Sequence, residues 1–241
     1  MQISVIIPCY NEAEILEDNF NILANELNRT GLSYEIIFCN DGSTDGTLEI
    51  LRKIQSTNKS MKIITYTPNR GAGYAYQRLY DACRGEMVFQ MDADLSMKPN
   101  NTIPVFLKAL QNADIVVGSR YKGIAPSYPL RRRIASKVYS TMNKFLFGLK
   151  IMDTQSGFIA FRRNVLNETK IESDGFEALL ELFIKLSLHN NYRIKEVPIK
   201  FTHETLTGET DIFLEGTKMF GNTLKLWKKF IIKKLRGEIW R

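Results

Sequence analysis

Short runs of β-branched and other apolar residues alternate along this chain with longer stretches in which apolar positions return every three or four residues. The first run, Ile3 to Cys9, reads ISVIIPC. It is followed by Ile15, Leu16, Phe20, Leu23, Ala24 and Leu27, one stripe of a helix over about Glu12 to Asn28, with Asn11 placed to cap it and Ile22 off the stripe. A second strand over Tyr34 to Cys39, a helix over about Thr47 to Gln55 and a third strand over Met61 to Tyr66 repeat the unit. Met87 to Met91, preceded by Gly85, is too short an apolar run for a helix and suits a strand buried on both faces. A helix over Pro104 to Gln111, a strand over Ile115 to Gly118 and a helix over about Arg131 to Phe147 come next. A strand over Phe158 to Phe161, a helix over about Phe176 to His189 and a partly exposed strand over Ile194 to Phe201 complete the order. This alternation specifies an α/β fold with a mostly parallel central sheet flanked by helices and its ligand site at the carboxyl edge of the strands.

Chemistry-bearing residues collect where those strands end. Asp92 and Asp94 follow the Met87 run; if the backbone stays extended there, residues two apart project to one side and the carboxylates converge. Unpaired facing carboxylates are costly, and a hard divalent cation such as Mg2+ or Mn2+ is their natural occupant. The second strand ends in NDGSTDG, Asn40 to Gly46, and the third in NRGAG, Asn69 to Gly73. The latter does not complete a dinucleotide fingerprint, because Tyr76 stands at the third glycine position and the loop follows the third strand. Its glycines fit a tight turn beside a ligand instead. Arg120 follows the Ile115 strand, where it either holds a phosphate or pairs with an aspartate. A Gly, Pro and Ser-rich loop, Lys122 to Pro129, can move over the site. Arg131, Arg132 and Arg133 open the next helix against its dipole, which an anion would compensate, and Arg132 shares a face with Ser136. Glu177 and Glu181, one turn apart, repel unless a cation or proton lies between them; the other reading is an exposed helix face.

The composition changes the picture in two places. Formal net charge is +7, yet eight Lys and Arg against one acidic residue lie from Lys218 onward, leaving the first 217 positions balanced. That asymmetry disfavours a nucleic-acid-binding face and favours one local contact with an anionic surface. Phe220, Leu224, Trp227, Ile231 and Leu235 recur there at spacings of four and three among lysines, a basic amphipathic helix over residues 213–241. Such a helix lies in a lipid interface or docks on the domain formed by residues 1–212, and both readings stand. Second, Cys9, Cys39 and Cys83 are not spaced as a disulfide framework or metal site and read as reduced core residues of a cytoplasmic protein. No run of apolar residues is long enough to span a membrane, and the start lacks a secretion signal. His189 and His203 have no partner at metal-ligand spacing.

Taken together, IIPCYNE, NDGSTDGT, NRGAG, MDADLS, GSRY, SGF and EVPIKF, in this order and spacing over the first 200 residues, resemble the inverting glycosyltransferases of family 2 with the GT-A fold. Within them the chain is most similar to the polyprenyl-phosphate hexose synthases, the dolichyl-phosphate mannose synthases in particular. The resemblance implies that Pro8, Tyr10, Glu12, Cys39 and Asp41 line a nucleotide pocket. It implies that Asp92, Ala93 and Asp94 hold metal and sugar-nucleotide diphosphate with Ser96 nearby, and that Arg120, Arg132 and Ser136 receive an acceptor phosphate. The implied activity moves a hexose from a nucleotide sugar, GDP-mannose favoured and UDP-glucose possible, to a polyprenyl phosphate at the cytoplasmic membrane face. The alternatives are a soluble or glycan acceptor, or a nucleotide-sugar-binding scaffold. Two departures stand out: Asn40, where the family often has aspartate, and Thr202 to Asp211, where Glu204, Glu209 and Asp211 replace expected cations. The sequence does not specify oligomeric state.

Overall fold

β1 (Ile3–Cys9) is central because its run is apolar on both faces, and it pairs in parallel on both sides, with β2 (Tyr34–Asp41) and with β4 (Met87–Gln90). β3 (Met61–Tyr66) adds to β2, also in parallel. β5 (Ile115–Ser119), β6 (Ile159–Arg162) and β7 (Ile194–Pro198) extend the other side, giving the order β3-β2-β1-β4-β6-β5-β7. β6 runs antiparallel to both β4 and β5, while β5 and β7 are parallel. The computed structural model describes residues 1–95, 98–122, 130–167, 169–175, 177–188, 192–199 and 212–236.

The two-residue period of the strands divides the core into two layers. Ile3, Val5, Ile7, Phe38 and Phe89 turn to one face. There they meet Leu16, Phe20, Leu23 and Leu27 of α1 (Leu16–Arg29), Leu51 and Ile54 of α2 (Thr47–Thr57), and Ile103 and Phe106 of α4 (Pro99–Leu110). Ile6, Ile37, Val88, Val117 and Phe161 turn to the other. That layer holds α3 (Ala72–Ala82), the Phe147 end of α5 (Leu130–Phe147), the short α6 (Arg163–Asn167), α7 (Glu177–Leu188), and Leu226 and Phe230 of α8 (Ile212–Leu235). The strand order reverses between β1 and β4, so the gap beyond their carboxyl ends is the switch point where such sheets bind ligands.

Several sequence expectations need correction. α1 starts at Leu16, and Asn11 does not cap it: its backbone is left-handed (φ 57°) and its Oδ1 accepts the Thr44 N–H at 2.8 Å. Asn tolerates that conformation, and the bond ties the β1 and β2 edge loops together. α3 was not anticipated, because its start is written in glycines. α4 begins at Pro99, with Pro104 inside it at the loss of one helical hydrogen bond. α8 uses both faces: Thr223, Leu226 and Phe230 are buried, while Phe220, Leu224, Trp227 and Leu235 of the expected stripe are exposed. The docking face is therefore turned round the helix from the stripe, with Ile231 of the stripe at its border, partly buried against the same core layer. Ser96, His189, His203, residues 123–129 of the expected mobile loop and the segment 202–211 lie outside the described residues, as does the side chain of Arg132.

Phe106 is fully buried between Phe158 (ring centroids 4.5 Å apart, edge-on) and Phe89 (6.5 Å), whereas Val105 beside it is exposed. Phe106→Ala is expected to lower the free energy of urea unfolding by about 3–5 kcal/mol. Val105→Ala should change it by no more than about 0.5 kcal/mol. Equal losses would contradict this packing of α4.

Candidate active site

The first edge loop is fixed by the second. Asn11 N–H donates to Ser43 Oγ (3.0 Å), Glu12 N–H to Thr47 Oγ1 (2.9 Å) and Ala13 N–H to Asp45 Oδ2 (3.2 Å). These bonds hold Glu12 beside the β4 edge. The second loop is in turn bound to the third: both carboxylate oxygens of Asp41 accept from the 69–71 segment, through Asn69 Nδ2 (3.0 Å), Arg70 N–H (2.8 Å) and Gly71 N–H (2.9 Å). Asp41 is thus a brace as well as part of the cavity wall.

β4 ends at Gln90, so Asp92 and Asp94 do not continue an extended strand as the sequence reading assumed; the chain turns at Ala93 and Asp94. Asn19 Nδ2 holds the Ala93 carbonyl at 2.8 Å, and Leu95 N–H returns to the Asp92 carbonyl at 3.3 Å. Leu95 takes a left-handed backbone (φ 45°), costly for a bulky residue and retained here because its side chain is buried in the core. The turn leaves Asp94 exposed and sends the partly buried Asp92 inward over Gly157. A Cβ at position 157 would lie 1.8 Å from Asp92 Oδ2, so only glycine leaves room for the carboxylate. This contact explains why SGF accompanies MDAD, a role the sequence reading did not assign.

The electrostatics converge on the same point. Asp92 is pushed up to about 6, by burial first and then by Asp94, with Arg120 opposing. Glu12 is pushed up to about 7, by burial and then by Asp94, Asp92 and Asp45. These side chains open onto a cavity of about 560 Å³, walled by Pro8, Tyr10, Asp41, Asn69, Tyr76 and Gln155 among others, with Gly71, Gly157, Gly175 and Leu179 completing it. The volume suits a nucleotide-sized ligand. Of the expected pocket residues, Pro8, Tyr10, Glu12, Asp41 and Asp92 lie on this wall. Cys39 does not: it is wholly buried in the core below Tyr66, and Cys9 reaches the wall instead. Ala93 is buried in the turn.

The donor set suits a hard cation: carboxylate oxygens held against their mutual repulsion. Among the described residues no three His, Cys, Asp or Glu side chains close around one point. Asp92 and Asp94 would therefore leave most of an ion's coordination to ligand oxygens and water, as Mg2+ sites often do.

The phosphate-facing residues are more constrained than expected. Arg120 lies near enough to Asp92 to lower its pKa, but its Nε and Nη2 donate to Asp153 (2.9 and 2.6 Å), as does its backbone N–H (2.9 Å). Of the two sequence readings the aspartate pairing is present, though with the fully buried Asp153 rather than the metal pair. Asp153 is itself anchored: its N–H and that of Met152 donate to Glu196 Oε1 at 3.0 and 2.9 Å, and Lys122 faces Glu196 Oε2 at 3.5 Å. Ser136 on α5 bonds Tyr121 (2.6 Å), which ties α5 to the end of β5. Glu181 has its cation in Lys185, 2.9 Å away and equally buried, whereas Glu177 accepts from Asn222 of α8 at 3.0 Å.

A switch-point cavity, a paired-carboxylate turn beside it and one antiparallel strand within a parallel sheet are features of a GT-A type fold. The family model for glycosyl transferase family 2 matches residues 4–169, and the chain belongs to that family. It is 35% identical over 99% of its length to a dolichol-phosphate mannosyltransferase of Pyrococcus furiosus, and spans 66% of that protein. It is 31% identical, over 84% of its length and 78% of the relative's, to a polyprenol monophosphomannose synthase of Mycolicibacterium smegmatis. Among solved structures, glucosyl-3-phosphoglycerate synthase from Mycobacterium tuberculosis with uridine diphosphate superposes at a TM-score of 0.69 and 16% identity, covering 94% of this chain and 80% of that one. The same enzyme has been solved in complexes that contain uridine diphosphate with Mn2+ or Mg2+.

The raised carboxyl of Glu12 sets a pH test. A folded-state value near 7 against about 4.3 in the unfolded chain means the native state binds more protons in that window, so ionising Glu12 destabilises the ligand-free protein as pH rises. Glu12→Gln is expected to raise Tm relative to wild type at pH 8. The advantage should shrink toward pH 5, where Glu12 is itself neutral. Scanning calorimetry at the two pH values checks this; a constant difference would contradict the electrostatic origin.

Proposed function

We propose that this chain transfers a hexose, mannose favoured, from a nucleotide sugar to a polyprenyl phosphate at a membrane surface, with inversion at the anomeric carbon. The carrying observation is that Glu12 and Asp92, both raised by burial and by neighbouring Asp94, stand together on the wall of the switch-point cavity. Two relatives named for mannosyl transfer to a polyprenyl phosphate support the substrate class. Asp92 and Asp94 would hold Mg2+ or Mn2+, which when bound neutralises charge on the departing diphosphate.

The chain's own residues do the positioning. Asp92, seated on Gly157, fixes where the diphosphate meets the cavity; Asp41 and the 69–71 segment shape the nucleoside end. Arg120, clamped by Asp153 and close enough to Asp92 to lower its pKa, places its guanidinium beside the metal pair, where an acceptor phosphate would be held in line with the sugar. An acceptor phosphate is already ionised at neutral pH and needs no strong general base. Mannose is favoured by the relatives' names, and GDP-mannose as its donor by the family resemblance of the motifs, with UDP-glucose the other candidate.

The surface supports a lipid-facing orientation. Among the described residues no helix is long and apolar enough to cross a membrane. α8, however, exposes Phe220, Leu224, Trp227 and Leu235 (82% exposed) beside Lys225 and Lys228, and α5 exposes Ile134, Val138 and Phe145 (89%) beside Arg133 and Lys137. The two helices are linked by Tyr139 to Thr223 (2.7 Å) and by Phe147 against Phe230 (5.6 Å, edge-on). Aromatic and aliphatic side chains among lysines are the composition of an interfacial helix.

With radiolabelled GDP-mannose, Mn2+ and polyprenyl phosphate, label should pass into the organic phase. Asp94→Ala should reduce this by at least roughly a hundredfold while leaving Tm little changed, since an exposed carboxylate contributes little to the fold. Label that stays in water with GDP-mannose and UDP-glucose alike would overturn the proposal. Separately, Trp227→Ser should weaken co-sedimentation with phosphatidylserine-containing vesicles by about tenfold, because it removes the largest apolar anchor.

A further inference from the structure

Residues 169–175 form a strap between α6 and α7 that closes one side of the cavity. The Asp174 carbonyl accepts the N–H groups of Gly73 (2.7 Å) and Tyr74 (3.2 Å), and the Ser173 carbonyl accepts Gln77 Nε2 (3.2 Å). The strap thereby caps the first turn of α3, whose free N–H groups would otherwise face the cavity as an anion site. It also explains the glycines of NRGAG. A Cβ on Gly73 would come within 2.3 Å of the Ser173 carbonyl oxygen, and one on Gly71 within 2.6 Å of that of Asp174.

What holds the strap is a chain of charges that the proposed reaction does not use. Glu181, wholly buried on α7, accepts the N–H groups of Glu172 (3.1 Å) and Ser173 (2.8 Å). Lys185, also wholly buried, bonds Glu181 (2.9 Å), the Lys170 carbonyl and Glu172 (3.2 Å). Glu172 then reaches outward to α8, where it pairs with Lys229 and lies 4.0 Å from Lys233. Burial opposes ionisation of Glu172, but Lys229 and Lys185 outweigh it and hold its carboxyl down at about 2. Two of the lysines in the basic tail are thus engaged inward.

We infer that Glu172 is a positioning residue for the donor cavity, and that Lys229 and Lys233 of α8 set the strap against α3 through it, so that the seating of the C-terminal helix and donor binding are coupled. The donor assignment rests on the function proposed above; the mechanical link does not. Losing the link would loosen the strap without unfolding the core, because Glu172 and Lys229 are partly exposed while Glu181 keeps Lys185 and the backbone N–H groups of Glu172 and Ser173.

The test uses ligand-free full chain and three variants: Glu172→Gln, the pair Lys229→Met with Lys233→Met, and all three changes together. Amide hydrogen exchange at Gly73, Tyr74, Glu172 and Ser173 is expected to quicken by about fivefold or more in each, with sheet amides such as Ile6 and Val88 unchanged. The combined variant should be no faster than Glu172→Gln alone, because the two lysines act through the carboxylate that this change already removes. KM for the nucleotide sugar should rise by a similar factor while kcat stays within about twofold. Unchanged exchange at Gly73 and Tyr74 in Glu172→Gln, or effects that add in the combined variant, would overturn the inference. If wild type takes up no nucleotide sugar, the proposed function falls and the exchange measurement still decides the link.

Discussion

Like charges crowded at the edge where the sheet reverses direction are the constraint on which this structure turns. Glu12 and Asp92 are each raised toward neutrality by burial and by the carboxylates around them, Asp94 first among these. A fold under no functional demand would separate or protonate such groups, since unpaired buried carboxylates are costly. Here the backbone is arranged to keep them together. Thr47 and Asp45 fix Glu12 and Ala13, Leu95 accepts a left-handed conformation to turn the chain, and Gly157 leaves space for Asp92 that no other residue would leave. Local strain and like-charge repulsion at one place, with the surrounding core well packed, mark where function was selected over stability.

The fold was largely legible because the signals that specify it are local. Alternating strand and helix runs specify a mostly parallel sheet, which the structure has, with β6 its antiparallel strand. What escaped was whatever depends on a partner distant in sequence. α3 begins in glycines, so no propensity announces it; those glycines make sense only once Ser173 and Asp174, a hundred residues later, are seen lying on them. The assumption that Asp92 and Asp94 continue an extended strand failed for the same reason, since the turn is held by Asn19 from α1 and by Gly157 from the approach to β6. At the site, five expected wall residues take their places, while Cys39 belongs to the core and Cys9 replaces it. A strand ending in Asn40-Asp41 looks as if it ends at Cys39 when the polar pair is taken for loop, but β2 runs two residues further.

Arg120 shows how a residue can be identified correctly and its circumstances missed. Its position after β5 announces a cation at the cleft, and nothing nearby in the chain announces Asp153, which takes three of its N–H groups. The clamp removes in advance the rotamer freedom that a solvent-exposed arginine would lose on binding a phosphate. Glu196 and Lys122 extend the same alternation of charge behind it, which places part of the EVPIKF segment in support of the site rather than in contact with it.

The buried pair Glu181 and Lys185 poses the opposite problem, because it lies away from the reacting groups and yet sets an acid beside a base in the core. Such pairs recover their desolvation cost poorly, and well-packed apolar side chains of similar volume would often serve stability as well or better. Stability alone therefore does not account for it. Glu181 does something an apolar residue cannot: it accepts two successive backbone N–H groups of the strap and fixes the register in which Asp174 meets α3. Lys185 pairs with that acceptor and extends the contact to Glu172, whose second oxygen meets α8. Specificity of placement is the property such a chain supplies, and the element placed is one wall of the cavity in which the carboxylates stand.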